Sequence, residues 1–344
     1  MSKSLLLLFL SLNFAISTFA QVGGSSSYEF LNLPSSARTA ALGGDLISVK
    51  DNDLSLGIVN PALLNKLMDN SLVMTYLNYF SDINSGFVGF SKNYEDKGSF
   101  SLGMQYMNYG RFTRADPNGE ITGEFSAGDY ALNFGWGRGF GKHLSYGTNV
   151  KLLYSALESY QSFGMALDLA GTYFNEEDGF GAAILAKNIG TQIVAYRKGN
   201  TEPLPTEMKI EVSKKLSHAP FRFSLAFDNM QRLRMVPKDT TSNFNTVTGD
   251  EQTKSPGFFG NTLRHLVAGV EIMPTKSFSV RFGYNVQRSQ ELKVASKPGT
   301  IGLSWGFGFR ISKFHLSYAR AAYHLAGASN HFTITTNISS FSRN

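Results

Sequence analysis

Hydrophobic and polar residues alternate along this chain with a period of two, segment after segment, from Ser71 to Ser340. Between Gly299 and Ile311, the residues Ile301, Leu303, Trp305, Phe307, Phe309 and Ile311 share one parity. Thr300, Gly302, Ser304, Gly306, Gly308 and Arg310 share the other. Successive side chains of a strand point to opposite faces, so this segment predicts a strand with one aromatic face and one small, polar face. About fourteen such segments follow one another, from Leu72, Met74 and Tyr76 in the first to Phe332, Ile334 and Ile338 in the last. A long run of such strands predicts an all-β fold, a transmembrane antiparallel β-barrel whose apolar face meets lipid and whose polar face lines a lumen.

The connections support the same reading. From the third strand onward, short ones (Asn93 to Gly98, Gly139 to Lys142, Asn175 to Gly179, Ser217 to Pro220, Pro274 to Ser277, Ile311 to Lys313) alternate with longer ones, although the first, third and last of the seven outer connections are also short. The longer ones are Gly110 to Gly128, Ile189 to Pro205, Met230 to Thr262 and Arg288 to Lys297. Outer-membrane barrels have tight periplasmic turns and extended outer loops. The expected orientation has long loops extracellular and both termini periplasmic. Barrels of this kind commonly end on an aromatic residue; here Phe341 precedes a Ser-Arg-Asn tail, so either the last strand ends at Phe341 with a short tail or the terminal signal is looser.

Residues 1–20 carry Lys3, an apolar run from Leu5 to Ile16 and a small residue, Ala20, before Gln21. That pattern predicts a signal peptide, too short to span a bilayer. Residues 21–70 lack sustained alternation and are rich in Gly, Ser, Ala and Asn. Arg38 to Leu42 predicts a short helix stopped by Gly43-Gly44, and Asn60-Pro61 a second start, with Asn60 as cap and Pro61 in the first turn. This segment is expected to fold into the lumen as a hatch or plug, leaving 71–344 as the barrel.

The 344 residues include no cysteine, 34 glycines, 28 phenylalanines and 15 tyrosines, with a formal charge of +6. Disulfide and thiol chemistry are excluded. The modest basic excess reads as scattered solvated charge and points to no nucleic acid.

No catalytic or cofactor motif stands up to its context. Gly302-Leu303-Ser304-Trp305-Gly306 matches G-x-S-x-G, but that chemistry needs the serine on a strained strand-to-helix turn, and alternation continues through it. Ser-x-x-Lys and H-E-x-x-H are missing, and Gly141-Lys142 lacks the rest of a phosphate loop. Asp51-Asn52-Asp53 lacks the later ligands of a calcium loop and reads as a polar turn. His315, His324 and His331 have no metal-binding spacing. Lys209, Glu211, Arg222 and Asp228 fall on the polar parity and predict lumen-side ion pairs. Tyr79, Tyr109, Tyr154 and Tyr173, at strand ends, suit interfacial girdles. No metal, cofactor or enzymatic activity is expected.

Tyr28-Glu29-Phe30-Leu31-Asn32-Leu33-Pro34, then Ser36-Ala37-Arg38 and Ala40-Ala41-Leu42-Gly43-Gly44, then Asn60-Pro61-Ala62-Leu63-Leu64 resemble the PorQ proteins of the type IX secretion system. The A-x-G-G and N-P-A elements are shared more widely, with PorV and, for N-P-A, the FadL fatty acid transporters. The resemblance implies a FadL-like barrel of 14 strands with an N-terminal hatch carrying Arg38, Gly43, Gly44, Asn60, Pro61 and Ala62. It implies an outer-membrane, non-enzymatic role, holding a PorZ-like surface protein in a complex with PorU and PorV that attaches cargo to lipopolysaccharide. Its alternative is a FadL-like transporter of hydrophobic molecules. The connection from Met230 to Thr262, with Phe244, Val247, Phe258 and Phe259 as apolar anchors, is the expected partner surface.

Overall fold

The computed structural model describes residues 26–79, 82–232, 257–291, 301–324 and 327–341. The expected signal peptide, and Phe244 and Val247, lie outside these residues. Fourteen antiparallel strands are present among the described residues. The first half runs β1 Ser71–Asn78, β2 Asn84–Tyr94, β3 Gly98–Ala115, β4 Ile121–Phe140, β5 Leu144–Leu157, β6 Tyr160–Asn175 and β7 Phe180–Val194. The second half runs β8 Glu207–Lys215, β9 Phe221–Phe227, β10 Leu266–Thr275, β11 Phe278–Asn285, β12 Leu303–Ile311, β13 Phe314–His324 and β14 Gly327–Asn337. Each pairs with its neighbours in sequence, and β1 pairs with β14 from Ser71 opposite Asn337 to Asn78 opposite Asn330. Closure leaves no open sheet edge, the condition for a sheet in hydrocarbon.

The expected faces are the observed ones. On β12, Leu303 is 48% exposed on the outside and Ser304 1% exposed on the inside. Met74, Val88, Leu102, Phe134, Phe282 and Ile334 continue the apolar exterior around the barrel. Such a belt is unfavourable in water and favourable against lipid chains. No helix among the described residues is long and apolar enough to cross a membrane.

Several boundaries differ from expectation. Gly110 to Gly128 is mostly paired: Arg111 to Ala115 face Ser126 to Ile121, so β3 and β4 run on as a long hairpin. Its stacked Phe112 and Phe125 rings, 5.2 Å apart, supply cross-strand packing that the loop reading missed. Likewise β7 continues to Val194, and Arg288 lies in a short helix, Val286–Glu291. The last strand stops at Asn337; Phe341 lies in a 3-10 turn, Ile338–Phe341, with its ring 5.6 Å from Phe314. Of the four girdle tyrosines, Tyr154 and Tyr173 face outward. Tyr79 and Tyr109 turn inward onto an apolar cluster, and the Tyr109 hydroxyl donates to Asp129 at 2.6 Å.

The N-terminal segment lies inside the barrel. Helix α1, Ala37–Ala41, is capped by Ser36, whose side chain accepts from the Thr39 amide. It stops at Gly43, φ +88°, where the Gly43 and Gly44 amides close onto Ala40 and Thr39. Helix α2, Leu54–Val59, which the sequence reading missed, is capped by Asp53. Asn60 accepts from the Ala62 amide at 2.9 Å with Pro61 in the first turn, but the turn that follows is only a 3-10 turn, Pro61–Leu63.

Candidate functional site

Among the described residues, the contact between this segment and the barrel wall gathers most of the buried ion pairs. Arg38, on α1, donates from Nε to Glu271 Oε1 at 2.8 Å and from Nη2 to Oε2 at 3.0 Å. Its Nη1 reaches Asp51 at 2.8 Å and Asp53 at 3.1 Å. Glu271, on β10, also takes Arg222 from β9 at 2.7 Å and Arg281 from β11 at 2.9 Å. Three guanidinium groups thus meet three carboxylates. Burial works against the Arg38 charge, but the surrounding carboxylates outweigh it and hold its pKa well above the usual value. Burial likewise works against the Asp53 charge, yet Arg38 and the Ser55 hydroxyl bring that carboxyl below the ordinary range.

A second cluster sits between the helices and β7 to β9. Asp45 accepts from Lys187 at 2.8 Å and pairs with Lys209 at 3.3 Å. Glu207 contacts the same two lysines at 3.0 and 3.3 Å, and Asp228 takes Lys209 at 3.0 Å. Burial would raise the Asp45 carboxyl; the two lysines hold it far below the ordinary range. Lys187 and Asn188 both point inward because they form a bulge in β7 opposite Asp168, with Asn188 at φ 59°. Strict alternation puts only one of the two inside. Asn188 accepts from Lys151 at 2.8 Å, and Lys151 pairs with Asp168 at 2.8 Å.

The expected ion pairs are therefore present for Lys209, Arg222 and Asp228. Glu211 differs: it accepts from the Ile47 amide at 2.9 Å and the Ser48 hydroxyl at 2.6 Å, and so tethers the segment without a cation. The structure does not bring the hatch residues into one site: Asn60 and Pro61 seat against β5 and β6, and Arg38 and Gly43 against β10 and β11. Asn60 donates to the Ile47 carbonyl at 2.6 Å and Thr172 at 3.0 Å. Pro61 lies against β5, where a Cβ on Gly147 comes within 2.4 Å of its carbonyl carbon. Leu42 and Gly43 lie against β11, where a Cβ on Gly283 comes within 2.1 Å of Leu42. Glycines on the wall thus admit the backbone of the segment. Asp51 and Asp53, read as a polar turn, are also partners of Arg38. That link between residues distant along the chain has no local sequence signal.

Toward the long-connection end the lumen turns apolar. Tyr28, Phe30 and Leu31 pack with Met107, Leu153 and Leu204. A cavity of about 40 Å³ lies deep inside, between Leu31, Phe87 and Lys187. At the opposite mouth a larger cavity, about 480 Å³, is lined by Arg38, Arg222, Glu271, Arg310 and His315 among others. Ser304 lies near the start of β12 in regular strand, its hydroxyl buried, without the strand-to-helix turn its motif requires. His331 is buried beside Ser329, and the His324 side chain lies outside the described set. The described residues hold no group of three or more acidic or histidine side chains arranged for a metal. Phe259 is 74% exposed on a short helix, Phe258–Leu263; the side chain of Phe258 lies outside the described set.

No family model matches the chain, and no curated protein matches it. Solved structures do. The Ralstonia pickettii toluene transporter TbuX aligns with a TM-score of 0.51 at 13% identity, over 89% of this chain and 98% of that one. The Pseudomonas putida toluene transporter TodX aligns at 0.51 and 11%, over 88% and 98%. A Pseudomonas aeruginosa FadL homologue aligns at 0.48 and 10%, over 88% and 98%. The chain is a closed 14-strand barrel and shares its fold with the two toluene transporters. Identity this low carries the fold alone.

Proposed function

We propose that the chain is a non-enzymatic outer-membrane barrel that docks a surface partner in type IX secretion, as the PorQ-like N-terminal motif implies. The observation that carries this reading is the filled lumen. The segment bearing the motif is bolted to the wall by buried ion pairs, and the deep cavity of about 40 Å³ has room for little more than water. A barrel so filled serves as a rigid frame on which another protein can dock. The partner in this reading is a PorZ-like surface protein, with PorU and PorV in the same assembly and lipopolysaccharide alongside.

A second reading is passage of a hydrophobic molecule. The solved neighbours favour it over the first: TbuX and TodX are named as toluene transporters, and nothing in the comparisons bears on secretion. The apolar cluster around Tyr28 and Phe30 gives it an entry surface. It requires the segment to move or the wall to part.

Deleting the gene separates the two. Secreted cargo that fails to attach to the cell surface, with uptake of hydrocarbons and fatty acids unchanged, supports the docking role. Normal attachment with lost uptake replaces it by transport. Co-purification from outer membranes, with the bound proteins identified, then names the partner.

A further inference from the structure

The 480 Å³ cavity at the short-turn mouth lies within the size range of small-molecule sites. Its floor is the Arg38 cluster, where three guanidinium groups and three carboxylates balance. Its rim is not balanced. Lys215 at the end of β8, Lys276 in the β10–β11 turn and Arg310 on β12 line the same cavity, and none has a carboxylate within ion-pair distance among the described residues. Six cationic lining residues face three acidic ones, an excess of three positive charges. On the floor, Arg281 adds a buried Nη1 that has no hydrogen-bond partner among the described residues.

Scattered surface lysines are ordinary. Here three unmatched cations from three separate elements converge on one concave space. Low-dielectric walls concentrate their field, and like charges brought together repel unless an anion joins them. A monocarboxylate answers one charge. A phosphate ester or diphosphate carries two or more and offers several acceptor oxygens to lysine and arginine donors. We propose that this cavity binds a phosphate-bearing small molecule, its phosphate seated among Lys215, Lys276 and Arg310. Beyond Arg38 the lumen is filled, so the cavity is a binding basin rather than a way through. The site is independent of whether the barrel docks a partner or passes a hydrocarbon.

The test is calorimetric titration of the purified full chain in neutral detergent at about 0.15 M salt. Two probes are used: sodium pyrophosphate, and dihexanoyl phosphatidic acid below its micellar concentration. Saturable binding of pyrophosphate identifies a soluble phosphate compound; saturable binding of the lipid alone identifies a headgroup. In either case K215Q/K276Q/R310Q weakens binding about tenfold or more, as expected for lost charge-assisted bonds. These three side chains lie outside the buried pairs, so the barrel retains its heat-modifiable migration on gels. K97Q/K142Q, which removes exposed cations from other turns at the same mouth, leaves affinity within about twofold, since distant exposed charges are screened. Absence of saturable binding by both probes overturns the proposal. So does equal affinity in the triple variant, or an equal loss in the control.

Discussion

At the scale of single residues, Glu271 rather than Arg38 is the keystone of the lumen. Arg38 carries the sequence motif and bridges three carboxylates, yet removing it leaves Glu271 paired with Arg222 and Arg281. Arg222 also stands 4.0 Å from Asp51, so the acidic groups retain some compensation. Removing Glu271 instead leaves three buried or half-buried guanidinium groups facing one another, with only Asp51 and Asp53 to answer them. Loss of one partner from a buried pair costs about 3–5 kcal/mol. Glu271→Ala is therefore expected to destabilise the barrel by about that amount, and Arg38→Ala by less. Urea unfolding in lipid vesicles, followed by Trp136 and Trp305 emission, measures both. Equal losses would show that Arg38, not the carboxylate, holds the cluster. The motif pointed to the arginine because it sits in a recognisable run. Glu271 lies more than 200 positions away on an ordinary strand, and only the closed sheet brings the two together.

At the scale of elements, the strands were legible because one physical signal, alternation, repeats wherever a sheet separates lipid from a lumen. The misreadings mark where that signal fails. In the β3–β4 hairpin no face is buried against anything, so pairing proceeds without an apolar stripe. At Lys187–Asn188 a bulge breaks the parity, and α2 is too short to show a helical period. Lumen packing was equally invisible: Ser304 is 1% exposed, so an arginine there is crowded rather than hydrated. Leu303, first residue of β12, lies near the barrel end, whereas Phe307 lies at the strand's centre. Phe307→Arg is thus expected to cost about 2–4 kcal/mol of insertion and Leu303→Arg about 0–1. The folded fraction recovered in vesicles checks the order, and equal fractions would mean that the lipid-facing depth is misassigned. The N-terminal segment makes its own prediction. Asp45 and Asp53 are held below the ordinary carboxylate range, so each contributes stability that is present above its unfolded value and is lost as pH falls through the folded one. Protection of the Ile47 and Ser48 amides, corrected for intrinsic exchange, is expected to hold at neutral pH and to drop below about pH 4. Protection that shows no decline between about pH 5 and pH 2 would remove the lysine–aspartate cluster from the list of tethers.

For the whole molecule, the two ends of the barrel differ in kind. One end gathers the tight turns, the start of β1 at Ser71 and the end of β14 at Asn337. The phosphate basin opens there, between the turns that follow β8, β10 and β12. The other end carries the long connections, the apolar cluster around Tyr28 and the extended β3–β4 hairpin, with Ile121 at its tip 75% exposed. Outer-membrane barrels carry short turns on the periplasmic side and longer loops on the outer side, so the tight-turn end is expected inside. The chain lacks cysteine, so a single introduced thiol reports its position without background. Ile121→Cys and Glu177→Cys place that thiol at opposite ends, on exposed positions outside the buried ion pairs. A membrane-impermeant maleimide applied to intact cells is expected to label the first and to reach the second only after the outer membrane is opened. That pattern leaves the long connections available to a surface partner and turns the basin toward periplasmic phosphate compounds. Labelling of Glu177→Cys alone in intact cells would invert the barrel, placing the basin at the cell surface and ruling out docking by the hairpin end.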